Sequence, residues 1–228
     1  MNILIIAAHP DDEVLGMGGT IAKHTSKKDN VSIVYLATGI TSRNKNNSKK
    51  INENNLKDIK KLQNDAKKSA KSLKVKNVKF YDFPDNKMDG IELLDVVKIV
   101  EKEIRTLKPE RIYTNHYNDL NVDHRVVFNA TITACRPSST LSVKEILCFE
   151  VLSSTEWNFP YNFNANYFVN IKGHIEKKIK AMNYFSGEIR KFPHPRSPEN
   201  IRHAAGRWGT ISGFLEAEAF ELIRKFDK

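Results

Sequence analysis

Cysteine is almost missing from this chain: Cys135 and Cys148 are the only two in 228 residues. Neither belongs to a CxxC pair, and two thiols make no disulfide framework in a chain this long, so both are read as small buried hydrophobes. Long apolar runs are missing too, none approaching the roughly 20 residues that cross a bilayer. The opening MNILIIAA has no basic stretch before it and acids directly after it, which excludes a signal peptide in favour of a buried strand. A cytoplasmic protein without a membrane span is therefore expected. Arginine–aromatic interleaving is also absent. The net charge of +10 comes mostly from lysines scattered through stretches such as KDIKKLQNDAKKSAKSLKVK, which is the pattern of solvated helix faces and not of a nucleic-acid groove. No sharp linker and no internal repeat occurs. At 40% hydrophobic and 28% charged residues, the composition is that of an ordinary soluble globular protein, and the length suits one α/β domain over 1–228, with residues 152–228 shaping a substrate groove.

What is present alternates. Residues 2–8 form a continuous apolar run, as in a central parallel strand covered on both faces. Gly16, Gly18 and Gly19 follow, then helical residues to Thr25, a strand over 31–37, and a polar, Asn-rich loop over 38–55. The spacing of Leu56, Ile59, Leu62, Ala66, Ala70 and Leu73 predicts an amphipathic helix over 55–74. A strand over 77–83, a helix over 89–109 stopped by Pro109, a strand over 110–115, a helix over 122–135 and a strand over 143–151 continue the series. This order predicts a Rossmann-like three-layer αβα fold with a mostly parallel sheet. Beyond 151, NANYFVNI reads as a short strand and HIEKKIKAMNYF as a helix. Ser197 and Pro198 open another helix as N-cap and first residue. EAEAFELIRKF reads as a short amphipathic helix.

Ligands in such sheets bind beyond the carboxyl ends of the strands. HPDDE, TGITSR and HYNDLNVDH end the first, second and fourth strands and should converge. His9 and Asp12 leave one strand end three residues apart, and His124 opens a helix after the fourth strand. Two imidazoles and a carboxylate make an open three-ligand metal site with water in the remaining position. Zinc fits this donor set best, with Fe(II), Co(II) and Mn(II) as alternatives. Asp11, beside a ligand but pointing elsewhere, is placed to take a proton from that water. Glu13 is read as capping the next helix or supporting a ligand from behind. LGMGG lacks GxGxxG spacing and follows acids that would repel a pyrophosphate, which excludes a dinucleotide site.

AAHPDDEVLGMGGT together with HYNDLNVDHRVVFNA closely resembles the LmbE-like, or PIG-L, family of zinc-dependent N-deacetylases, and the resemblance extends through TGITSR and HPRSPENIRHAAGRWGTISGFLEAEAF. It implies a Rossmann-like fold, zinc on His9, Asp12 and His124, and Asp11 as general base. The implied reaction is removal of an acetyl group from an N-acetylglucosamine-type sugar or sugar conjugate, a nucleotide or phosphate linkage being compatible with the lysine-rich surface. Arg43 matches a substrate-binding arginine of the family, the alternative being a solvent-exposed loop arginine. One departure stands out. Many members read HPDH where this chain reads NVDH, so Asn121 replaces a histidine that helps stabilise the oxyanion. Asn121 can donate through its amide but cannot carry a proton. His116, Asn118 and His194 are the candidates to substitute, in substrate binding or, for His194, in protonating the leaving amine; the alternative for His116 and His194 is a hydrogen-bonded structural histidine. Asp123 either orients a histidine or caps a helix. Arg196, Arg202 and Arg207 line a groove or pair with acids, and the aromatic loop of Trp157, Phe159 and Tyr161 stacks on a sugar or packs locally. The second reading is a metal- or sugar-binding member with altered catalysis. The oligomeric state stays open, a homo-oligomer included.

Overall fold

The computed structural model describes residues 1–40, 53–138 and 142–227. Its frame is a seven-stranded sheet of β1 (Asn2–Ala7), β2 (Asn30–Ala37), β3 (Asn77–Phe83), β4 (Arg111–Asn115), β5 (Glu145–Phe149), β6 (Tyr167–Asn170) and β7 (Ala217–Lys225), in the order β3-β2-β1-β4-β5-β7-β6. The first five strands are parallel, and β7 runs antiparallel between β5 and β6. The helices are α1 (Asp12–Ser26), α2 (Glu53–Ser72), α3 (Leu93–Leu107), α4 (Val122–Ala134), α5 (Ile175–Met182) and α6 (Pro198–Ser212). None of the described helices is long and apolar enough to cross a membrane.

The period-two geometry of a strand explains why β1 is apolar throughout. Ile3, Ile5 and Ala7 face one core layer with Leu15, Leu62 and Ile179 from α1, α2 and α5, while Leu4, Ile6 and Ala8 face the other with Val97 and Val127 from α3 and α4. Both cysteines are free and buried. Chain order reverses at β1, with β2 and β3 on one side and β4 and β5 on the other. The crevice beyond the carboxyl ends of β1 and β4 is therefore the topological switch point where ligands of open α/β sheets bind.

Two expectations are corrected. Residues 217–225 are the strand β7 and not a helix. Gly213, at φ +75, closes α6 in the left-handed conformation, and the chain returns to cover the otherwise open edge of β5, with Phe220 opposite Phe149 and Leu222 opposite Leu147. The unpaired edge backbone of β5 decides the outcome over local helical spacing. Secondly, Leu56 points outward from α2, 47% exposed; the buried stripe begins at Ile59.

Helix α1 starts at Asp12, earlier than its glycines suggest, and breaks at Met17 (φ −144). Its glycines serve close approach. A Cβ on Gly16 would lie 2.5 Å from the Glu150 carbonyl, and one on Gly19 would lie 2.8 Å from Ile171 Cδ1. Past the break the amides of Gly19 and Thr20 donate to Glu218 at 2.9 and 2.6 Å, and Lys178 Nζ reaches the same carboxylate at 2.7 Å. A residue of β7 thus caps the second half of α1.

Candidate metal centre and active site

His9 follows β1 and Asp12 is the first residue of α1, so the tight turn between them brings a ring and a carboxylate back towards each other. Asp12 Oδ2 accepts from the His9 amide at 2.9 Å and from Asn115 Nδ2 at 3.1 Å, while Asn115 Oδ1 accepts from the Ala8 amide at 2.9 Å. The end of β4 therefore clamps both the end of β1 and the carboxylate. His124, in the first turn of α4, places Nε2 3.2 Å from Asp12 Oδ2. His9, Asp12 and His124 are all buried, with one potential ligand atom each lying within 4.8 Å of the others.

The surrounding shell is carboxylate-rich. His9 Nε2 meets Asp123 at 2.9 Å and Asp85 at 3.2 Å. Asp123 in turn accepts from the amides of Asn86 and Met88 at 2.6 and 3.0 Å. Asp123 thus orients a histidine, the first of the two roles open to it. His124 Nδ1 lies 3.1 Å from Asp119, whose carboxylate also takes the Ser154 hydroxyl and, at 2.5 Å, that of Thr155. Glu13 accepts from the Asp11 amide at 3.3 Å and from Tyr35 at 2.5 Å, so it pins the turn from behind.

Three observations fit these residues to a divalent cation. The donor set is two imidazoles and a carboxylate, and each imidazole has a further carboxylate at one of its nitrogens, as metal-binding histidines characteristically have. Both ring nitrogens of His124 are buried, and although each lies near a carboxylate neither makes a directed hydrogen bond. The charge balance asks for positive charge. Burial pushes His124 down, but Asp12 and Asp119 lift it to about 9. Burial likewise opposes charge on His9, and the carboxylates of Asp12, Asp123 and Asp85 hold it well above the usual histidine range. A cation would meet the same demand in place of the imidazole protons.

The ligands open into a cavity of about 120 Å³, walled also by Asp11, Asp85, Asn86, Asn121, Ser153 and Arg196. Asp11 has φ +122, a region few L-residues enter. Burial raises its carboxyl to about 7 against the pull of Arg196, which sits 3.0 Å away. Arg196 also donates to Glu188 at 2.7 Å and to Ser153 at 2.6 Å, so it both lines the groove and pairs with acids. Asn121 caps α4 by accepting from the Asp123 amide at 2.9 Å and lines the cavity, with one amide proton given to Asn86 at 2.9 Å.

Of the remaining expected residues, His116, Asn118 and His194 do not line this cavity. His116 is fully buried behind the site, 3.0 Å from Glu221 and packed on Phe163, which corrects its expected place at the substrate. Asn118 does not line the cavity; it accepts from Asn158 Nδ2 at 3.0 Å. His194 stands outside the cavity wall, edge-on to Trp157, its Nδ1 accepting from the Arg196 amide at 3.1 Å. Arg43 lies outside the described residues. Sequence reasoning missed Asp85, Asn86, Asn115, Asp119, Ser153 and Glu188. Asp119 stood inside the quoted DLNVDH stretch, and Asp85 follows the third strand as His9 follows the first.

Two histidines and flanking carboxylates at the switch point of an open α/β sheet make a group that could hold a metal ion, and comparison gives the class of protein. A family profile described as "PIG-L: GlcNAc-PI de-N-acetylase" matches residues 4–135, more than half of the chain. The chain belongs to this family. Diacetylchitobiose deacetylase of Thermococcus kodakarensis is 26% identical over 232 residues, 97% of this chain and 83% of that protein. Among solved structures, the N,N'-diacetylchitobiose deacetylase of Pyrococcus horikoshii superposes with a TM-score of 0.76 at 21% identity, covering 97% of this chain and 83% of the other. The zinc inhibited form of teicoplanin deacetylase Orf2 gives 0.76 at 14% identity over 100% of both. At these identities the two structures establish the fold.

Proposed function

We propose that this protein is a metal-dependent hydrolase that removes the N-acetyl group of an N-acetylated amino sugar or sugar conjugate. One observation carries the reading: His9, Asp12 and His124 form a buried three-ligand cluster, and Asp11 lines the same small cavity. A divalent cation held there supplies positive charge that polarises an amide carbonyl and eases the loss of a proton from water. Asp11 takes that proton as the water adds to the carbonyl carbon, and returns it to the departing nitrogen. Arg196 fixes the Asp11 carboxylate in place through its 3.0 Å contact. Asn121, anchored to Asn86, has one amide proton uncommitted among the described residues and offers it to the developing oxyanion. His194, at the rim, is held beside Arg196 and serves the substrate's outer part. The products are acetate and a free amine. The acid-rich lining of Asp11, Asp12, Asp85 and Glu188 suits a neutral acetamido group and an ammonium product, and disfavours a phosphate at the reacting end.

The test is acetate release from N-acetylglucosamine and N,N'-diacetylchitobiose by protein stripped with a chelator and reloaded with zinc, Co(II), Fe(II) or Mn(II). Release that needs the cation supports the reading. Full release at a cation content near zero removes the metal from it, and cation and saccharide binding without any release leaves the binding-protein reading. Zinc is titrated to one equivalent as well as in excess, because the Orf2 structure is of a zinc inhibited form. In the same assay, Asp119→Ala is expected to weaken cation affinity by about 10- to 100-fold through loss of the carboxylate behind His124 Nδ1. Competition against a metal indicator reads this directly, and unchanged affinity would show that the carboxylate behind His124 Nδ1 does not support cation binding.

A further inference from the structure

The catalytic cavity is small for a sugar. Its volume of about 120 Å³ is below the roughly 300 Å³ at the lower end of pockets that enclose a whole small-molecule ligand. An acetamido group fits inside, and the rest of a substrate has to lie on the rim. That rim has an unusual surface. Four large hydrophobic residues are exposed on the loops that carry cavity residues: Leu120 (51%) beside Asn121, Trp157 (45%) and Phe159 (82%) after Ser153 and Ser154, and Phe192 (53%) before Arg196. A phenylalanine with four-fifths of its surface in water contributes nothing to the core and marks a contact surface when it is part of a patch.

The aromatic loop is also fixed to the chemistry. The Asp119 carboxylate that backs His124 holds the hydroxyls of Ser154 and Thr155. Asn158, between the two exposed rings, donates to the Asn118 carbonyl at 3.0 Å. The Trp157 ring stands edge-on against His194, whose Nδ1 takes the Arg196 amide. Trp157, packed beside His194, and the exposed Phe159 two residues on offer apolar faces to a sugar ring, with the polar groups of Asn118 and Asn158 on the same loops.

We infer that Trp157 and Phe159 form a second saccharide subsite beside the deacetylation cavity, so that the substrate is an oligosaccharide or a conjugate with a second ring. This rests on the deacetylase reading for its substrate class but not for its test. In Phe159→Ala the ratio of kcat/KM for N,N'-diacetylchitobiose to that for N-acetylglucosamine falls about three- to tenfold, the loss appearing in KM. An unchanged ratio overturns the subsite. A second measurement needs no turnover. The chain has two tryptophans, and Trp208 is buried while Trp157 is exposed, so disaccharide binding shifts the emission of the wild-type protein and the shift is lost in Trp157→Phe. A protein that shows the shift but releases no acetate removes the deacetylase reading and keeps the subsite. A protein that deacetylates both sugars with equal kcat/KM and shows no shift keeps the reading and overturns the subsite. An emission change with anionic phospholipid vesicles and none with saccharide also overturns it, by giving the rim to a membrane surface.

Discussion

Lys178→Met is expected to destabilise the protein by about 3–5 kcal/mol and to lower Tm by roughly 10 °C, without changing the dependence on denaturant. The reason is the position of its partner. Lys178 and Glu218 have side chains only 6% and 4% exposed and meet at 2.7 Å. Glu218 also receives the Gly19 and Thr20 amides, which the break of α1 at Met17 leaves without helical partners. Methionine matches the length and apolar stem of lysine, so packing survives, but Glu218 keeps its charge with no counter-ion in a buried setting. Removing one member of a buried pair is costly for this reason, whereas replacing both is often mild. The double variant Lys178→Met with Glu218→Gln is therefore expected to recover part of the loss, with a coupling of about 0.5–3 kcal/mol in a double-mutant cycle. Urea unfolding followed by circular dichroism checks all three proteins. Additive losses would show that the carboxylate is satisfied by the two amides alone.

This pair marks a boundary of what the sequence discloses. The HIEKKIKAMNYF stretch has helical spacing, and Lys178 is chemically one lysine among many; nothing local separates it from the solvated ones around it. Its burial is imposed by β7, which passes between β5 and β6, and β7 is the element whose local pattern pointed to a helix. The strands β1, β2 and β5 were legible because burial on both faces leaves an apolar run, and β1 serves two cores with alternate residues. The ligand cluster was legible because its members sit at strand ends, where the topology forces convergence. Asp85, Ser153 and Glu188 were not, because each stands alone in an unremarkable loop and joins the site only through contacts distant in sequence. Asp123 and Arg196 fall between these cases. Their neighbours in sequence flagged them, but only three-dimensional contact set Asp123 against His9 and gave Arg196 both of its roles. In the aromatic loop Tyr161 packs against the cluster of Phe163 and Trp208, whereas Phe159 is exposed.

Asp11 carries the other large effect. Asp11→Asn is expected to lower kcat about 10²- to 10⁴-fold with cation content unchanged, as loss of a general base does. Near-normal turnover would move the proton transfer to another residue. The backbone adds a second, separable prediction. Asp11 sits at φ +122 and ψ −25, where a Cβ crowds the adjacent peptide groups and a side chain costs about 1–3 kcal/mol. The strain is held by the surroundings: the Asp11 amide points to Glu13, its carbonyl accepts from the Val14 and Leu15 amides at 3.0 and 2.9 Å, and its carboxylate is held by Arg196. Asp11→Ala and Asp11→Gly both abolish the carboxylate and the ion pair, and they differ only in the Cβ. Glycine is free to adopt this conformation, at a cost of roughly 0.5–1 kcal/mol in chain entropy. Asp11→Gly is thus expected to be more stable than Asp11→Ala by about 1 kcal/mol, although both are inactive. Asp11 is the N-cap of α1, where glycine outranks alanine even on an ordinary path, so an alanine variant at least as stable as the glycine variant would show that the turn relaxes once the carboxylate is gone. The predicted order agrees with a backbone that keeps its strained path without the side chain, in a fold that gives up stability at this one residue to aim a carboxylate into the cavity while its neighbour Asp12 faces the histidines.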